Sequence, residues 1–133
     1  MLNPKDQDIL EKLRLILRSI PMDKKRGTLY FTSPYQLAIE FKKRFRAEFD
    51  ALGLPIGGKG TKDSLAWYVS DLIAHGIAQG DIDDIEIQFY DASFVAELSF
   101  DSDEGRVVPT TVGSQRRLTL FRLKQAPLTV SLG

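Results

Sequence analysis

At Gly80 the spacing of the apolar residues changes from a helical period near 3.6 to strict alternation, and this switch restricts the fold more than any other property of the chain. Before it, Ile9, Leu10, Leu13, Ile16, Leu17 and Ile20 keep helical spacing, with Asn3 placed to cap and Pro4 in the first turn. A basic turn from Met22 to Gly27 leads into Thr28-Leu29-Tyr30-Phe31, short and β-prone. Thr32-Ser33-Pro34 opens a second helix, whose stripe Ala38, Phe41, Phe45, Phe49 and Leu52 runs to a stop at Gly53. Leu54 to Lys62 is a glycine-rich connection, after which Thr61 or Asp63 caps a third helix from Ser64 to Ala78.

Beyond Gly80, Ile85, Ile87 and Phe89 alternate with Glu86, Gln88 and Tyr90, and Phe94, Ala96, Leu98 and Phe100 alternate with Val95, Glu97 and Ser99. Both segments read as strands with one buried face. An acidic turn at Asp101-Ser-Asp-Glu-Gly105 leads to Arg106–Val112, where Pro109 argues for an edge or a break, and Arg117–Leu123 and Leu128–Leu132 complete the set. Helices first and strands second predict an α+β fold: three N-terminal helices on one face of a mainly antiparallel sheet of four to five C-terminal strands. The length, 133 residues, suits a single domain with a helical part, 1–80, and a strand part, 81–133.

Charge is sorted along the same axis. Lys and Arg outnumber Asp and Glu by 13 to 7 in residues 1–62, the acidic residues stand at 11 to 0 in residues 63–105, and the basic ones at 5 to 0 in residues 106–133, although the whole chain sums to zero. Such blocks either neutralise one another in the fold or present opposed faces to partners. The hairpin expected at Asp101–Arg106 spans the second boundary, so paired strands would bring part of the two blocks together.

Several chemistries are poorly served. The chain has no cysteine, which removes disulfides and thiolate chemistry and agrees with a reducing compartment. Met1-Leu2-Asn3-Pro4-Lys5-Asp6 is not a signal peptide, and no stretch approaches the roughly 20 apolar residues that span a bilayer, so a cytoplasmic protein without membrane contact is expected. The segment from Gly53 through Gly58-Lys59-Gly60 meets the spacing of a phosphate loop, but Gly60 stands where Ser or Thr should ligate magnesium, and a helix precedes it where a strand should. His75 is the single histidine, too few for a His-based metal centre, and sits as a surface residue near a helix end. The acidic run Asp81, Asp83, Asp84, Glu86 and Asp91 has the composition of a magnesium site, yet Glu86-Ile-Gln88 and Glu97-Leu-Ser99 lack the lysine that nuclease strands pair with it. Asp101 to Gly105 opens like a calcium loop but has Gly in the fifth place and Val112 in the twelfth. No cofactor motif is complete, and no catalytic residue is assigned.

Two contact surfaces remain. The third helix carries a core stripe, Leu65, Val69, Leu72, Ile73 and Ile77, and on its other side Trp67, Ala74 and Ala78 cluster around Asp71. A helix apolar on two faces is buried twice or meets a partner, and Trp over small residues suits a protein interface. The second surface is basic: Lys42, Lys43 and Arg46 fall on the side of helix two away from its phenylalanines, near the loop Gly57, Gly58, Lys59, Gly60 and Lys62. Element order also matches a winged helix-turn-helix, but the would-be recognition helix contains no Lys or Arg and the would-be wing is acidic. The leading expectation is a small non-enzymatic binding or accessory protein acting through Trp67, Asp71, Ala74 and Ala78, with a protein partner or as a homodimer. The alternative is nucleic-acid binding through the basic surface, and the third a metal-dependent enzyme using the cluster from Asp81 to Asp91.

Overall fold

Local hydrogen bonding decides where the helices begin. The computed structural model describes residues 2–57, 63–91, 98–102, 105–107 and 117–124. Helix α1 (Pro4–Arg18) starts where the Asn3 side chain accepts from the Asp6 amide at 2.8 Å. Helix α2 (Pro34–Arg44) starts at a reciprocal capping box, in which the Ser33 hydroxyl accepts from the Gln36 amide and the Gln36 side chain accepts from the Ser33 amide. Helix α4 (Leu65–Ala78) is capped by Ser64, whose hydroxyl accepts from the Trp67 amide, rather than by the expected Thr61 or Asp63.

The expected second helix is two helices. It breaks at Phe45, whose backbone (φ −126°, ψ 57°) leaves the helical region, and α3 (Arg46–Leu52) continues to Gly53 in the left-handed region. No proline or glycine stands at the break. Packing accounts for the difference: Ala38 and Phe41 are fully buried, whereas Phe45 is half-buried, tilted against Phe41 at 5.5 Å between ring centres with the Lys12 ammonium 5.7 Å from its own. The stripe that sequence continues through Phe49 and Leu52 therefore only borders the core.

Strands β1 (Met22–Asp23) and β2 (Thr28–Leu29) form a hairpin across the basic turn, a pairing that the isolated apolar run at Thr28 does not suggest. Strand β3 (Ile85–Asp91) pairs antiparallel with β6 (Arg117–Leu123), Ile85 opposite Leu123 and Asp91 opposite Arg117. Strands β4 (Phe100–Ser102) and β5 (Gly105–Val107) make the expected hairpin, with Asp101 opposite Arg106. The expected four- to five-stranded sheet is met only in part, as antiparallel pairs among the described residues. Among the described residues the strands pair two by two, and the free edge of β6 is met at one point by Thr32, which exchanges two backbone hydrogen bonds with Phe121 at 2.9 and 2.7 Å. The β4–β5 hairpin is instead pinned to the helices, by Phe100 stacked on Tyr35 at 5.9 Å and by buried Val107. The expected strand segment 92–97 and the pieces 108–112 and 128–132 lie outside the described residues.

One hydrophobic cluster joins both halves of the chain, from Leu13, Leu37, Phe41, Val69 and Ile73 on the helices to Ile85, Val107, Leu118 and Phe121 on the strands. The expected inward face of β3 fades along its length, from buried Ile85 through half-buried Ile87 to Phe89, which is 55% exposed. Gly76 permits a close approach of Ile82, in the segment that follows α4. A Cβ placed there would lie 2.3 Å from Cδ1 of Ile82, whose amide donates to the Gly76 carbonyl at 3.0 Å. No helix among the described residues is long and apolar enough to cross a membrane.

Candidate functional site

The outer face of α4 is the clearest departure from a simple buried-in, polar-out arrangement. At 100° per residue, Trp67, Asp71, Ala74 and Ala78 lie on one side, opposite Leu65, Val69, Leu72, Ile73 and Gly76, and all five of those opposite residues are buried. Trp67 is 63% exposed, Ala78 is exposed, and Ala74 and Asp71 are half-buried. Asp71 Oδ1 lies 3.6 Å from Nε2 of exposed His75, so the rim of the strip carries a carboxylate and an imidazole one turn apart. The four residues that sequence groups together are thus brought to one surface, with the indole outward.

Beside Trp67 the same helix is anchored to the start of the chain. The Tyr68 phenol donates to the Asp6 carboxylate, and burial, then the hydrogen bond and negative charge of Asp6, push its pKa well above the ordinary tyrosine value. The Lys5 ammonium lies 5.9 Å from the centre of the Tyr68 ring. This pairing, 62 residues apart in sequence, carries no local signal that sequence reasoning could use.

The other expected residues are more dispersed. Lys43 is exposed on α2, Lys42 lies over the Phe49 ring at 5.2 Å, and Arg46 pairs with Asp50 at 3.2 Å. Gly57 is held tightly: its φ is +136°, and a Cβ would come within 3.3 Å of Ser64 and Ala66 side-chain atoms. The carbonyls of Pro55 and Ile56 accept from the Leu65 and Ala66 amides at 2.7 and 2.9 Å, and Ser64 takes the Trp67 amide, so the first three amides of α4 are engaged within the chain. Gly58, Lys59, Gly60 and Lys62 lie outside the described residues.

In the acidic segment, Asp84 accepts two hydrogen bonds from the Arg14 guanidinium and Glu86 accepts one from Arg122 at 2.7 Å. That bond holds the Glu86 carboxyl below its usual pKa, against a smaller opposing effect of burial. Among the described residues no three His, Cys, Asp or Glu side chains converge as a bound metal would require. No family model matches the chain, and no match is found among curated proteins or solved structures.

Proposed function

We propose that this protein is a non-enzymatic binding module that docks a protein partner through the outer face of α4, with Trp67 as the anchor, and that a second copy of the chain is the first partner to test. The observation that carries this reading is the 63% exposure of Trp67 on a helix whose opposite side is wholly buried. Large rigid aromatic side chains supply much of the energy of protein interfaces, because they bury wide apolar area at small entropic cost. Ala74 and Ala78 leave room for an incoming side chain, and Asp71 with His75 provides the polar rim such patches have. Across a two-fold axis the strip would meet itself, so one substitution would act twice.

Sedimentation velocity over a wide concentration range tests the self-association version. The native protein should shift toward dimer as concentration rises, with Trp67 emission moving to shorter wavelength as the indole leaves water, and Ala74→Glu should stay monomeric. A native protein that remains monomeric with invariant, solvent-exposed emission excludes the homodimer. A photo-crosslinking residue in place of Trp67 then decides between a different protein partner and no partner at all.

A further inference from the structure

We propose that the β1–β2 hairpin and the adjoining ends of α1 and α2 form a binding face for single-stranded nucleic acid, separate from the α4 strip. The turn is basic and held in one shape. Asp23 accepts from the amides of Lys25 and Arg26 at 3.0 and 3.3 Å and from the Arg26 guanidinium at 2.9 Å, and the Gly27 amide donates to the Asp23 carbonyl at 2.7 Å. The one carboxylate of the hairpin is therefore consumed in building the turn, which holds its pKa below the usual range. Lys24 and Lys25 are exposed, and among the described residues their side chains make no hydrogen bond or ion pair, nor does that of exposed Arg18 in the last turn of α1.

A tertiary contact adds to this cluster. Arg44, at the end of α2, donates to the hydroxyl of Ser19, the residue that follows α1, at 2.9 Å, while Glu40 is occupied by the same Arg44 at 3.0 Å. The hairpin is fixed from behind by Arg122, which donates to the Leu29 carbonyl and lies 4.3 Å from the centre of the Phe31 ring. Tyr30 is held at the hairpin root by its amide, which donates to the Pro21 carbonyl at 3.1 Å, and its side chain is 53% exposed.

Exposed cations on a fixed turn, with an exposed aromatic ring at the root of the same hairpin, are the two elements that single-strand binding uses: charge to follow the phosphates and a ring on which a base stacks. A stacked base must be accessible, which favours a single strand over a duplex. This face is distinct from the basic surface expected on helix two, to which Arg44 of α2 is its link.

Fluorescence anisotropy of a labelled oligothymidylate of about 12 nucleotides, titrated with the full chain at low ionic strength, tests the assignment. Saturable binding in the micromolar range is expected, with log affinity falling linearly in log salt. The double variant Lys24→Glu/Lys25→Glu should weaken binding at least about tenfold, and Tyr30→Ala about fivefold or more through lost stacking. Lys24→Gln/Lys25→Gln should lose less in the same direction, which keeps the test readable if charge reversal disturbs the turn. Absence of saturable binding overturns the proposal, as does binding indifferent to both double variants. Association with phosphatidylserine-containing vesicles but not with the oligonucleotide would assign the face to membranes instead.

Discussion

Arg14 donates to both carboxylate oxygens of Asp84, Nε to one at 2.8 Å and Nη2 to the other at 3.0 Å, tying the middle of α1 to the segment that enters β3 across 70 residues of sequence. The arginine is largely covered while the aspartate is 41% exposed, so solvent screens part of the attraction even though the two-point geometry favours it. Arg14→Ala should destabilise the fold by on the order of 1 kcal/mol, read from the urea midpoint at unchanged slope. Glu11, which also accepts from Arg14 but lies on the same helix face, should matter less: Glu11→Ala is expected to stay within about 0.5 kcal/mol of native.

Acid should weaken the β3–β6 ribbon through Glu86. Its folded-state pKa is lowered from 4.5 by Arg122, so the pair contributes stability that is present above 4.5 and lost as pH falls through the depressed value. Urea melts from neutral pH to about pH 3 should show stability falling, and Glu86→Gln should flatten that fall by on the order of 1 kcal/mol. Identical pH profiles for native and variant would remove the pair from any account of acid stability.

Gly76 inverts the ordinary rule for helix interiors. Replacing an interior glycine by alanine usually gains about 1 kcal/mol, but here the new methyl would drive into the Ile82 side chain, itself 2% exposed. Gly76→Ala should therefore cost about 1 to 3 kcal/mol through overpacking. In a double-mutant cycle Ile82→Ala should recover part of that loss, a coupling that a purely backbone effect would not produce.

The helices should not stand alone. Phe41, Val69 and Ile73 share one cluster with Ile85, Leu118 and Phe121, so a fragment ending at Gly80 loses the strand side of its core. Such a fragment should keep far-UV helix signal and lack near-UV fine structure. Cooperative unfolding of the fragment would mean that the helical part is a folding unit of its own.

On the outer face of α4 the opposite holds. Trp67 and Ala74 face away from the core, so Trp67→Glu and Ala74→Glu should leave the thermal midpoint of the isolated chain nearly unchanged, within about 0.5 kcal/mol. A large loss of stability in either variant would place that side chain in the core and remove the docking strip.

The starts of α1 and α2 and the buried helix faces were legible because their causes are local, whereas the cap of α4 fell to Ser64 and not to its expected neighbours. Asn3 and Ser33 satisfy amides three residues away, Gly53 takes the left-handed turn that ends α3, and the helical stripes at Leu13 and Val69 are buried as their spacing requires. The candidate strip on α4 was legible for the same reason: Trp67, Asp71, Ala74 and Ala78 share a face by helical geometry alone. The break at Phe45 was not, since it answers to what the two halves pack against and no residue there forbids a helix.

Strand pairing lay further from reach. The short alternating segments specify which side of a strand is apolar but not its neighbour; the described pairings, β3 with β6 and β4 with β5, and the contacts of Thr32 with Phe121 and Phe100 with Tyr35 are made between residues that no local pattern relates. The three charge blocks are a property of the chain. That Arg14 of the first block reaches Asp84 of the second, and Glu86 of the second reaches Arg122 of the third, while Lys24 and Lys25 find no carboxylate among the described residues, is decided by tertiary structure, because a charge interacts only with what folding brings within a few ångströms of it.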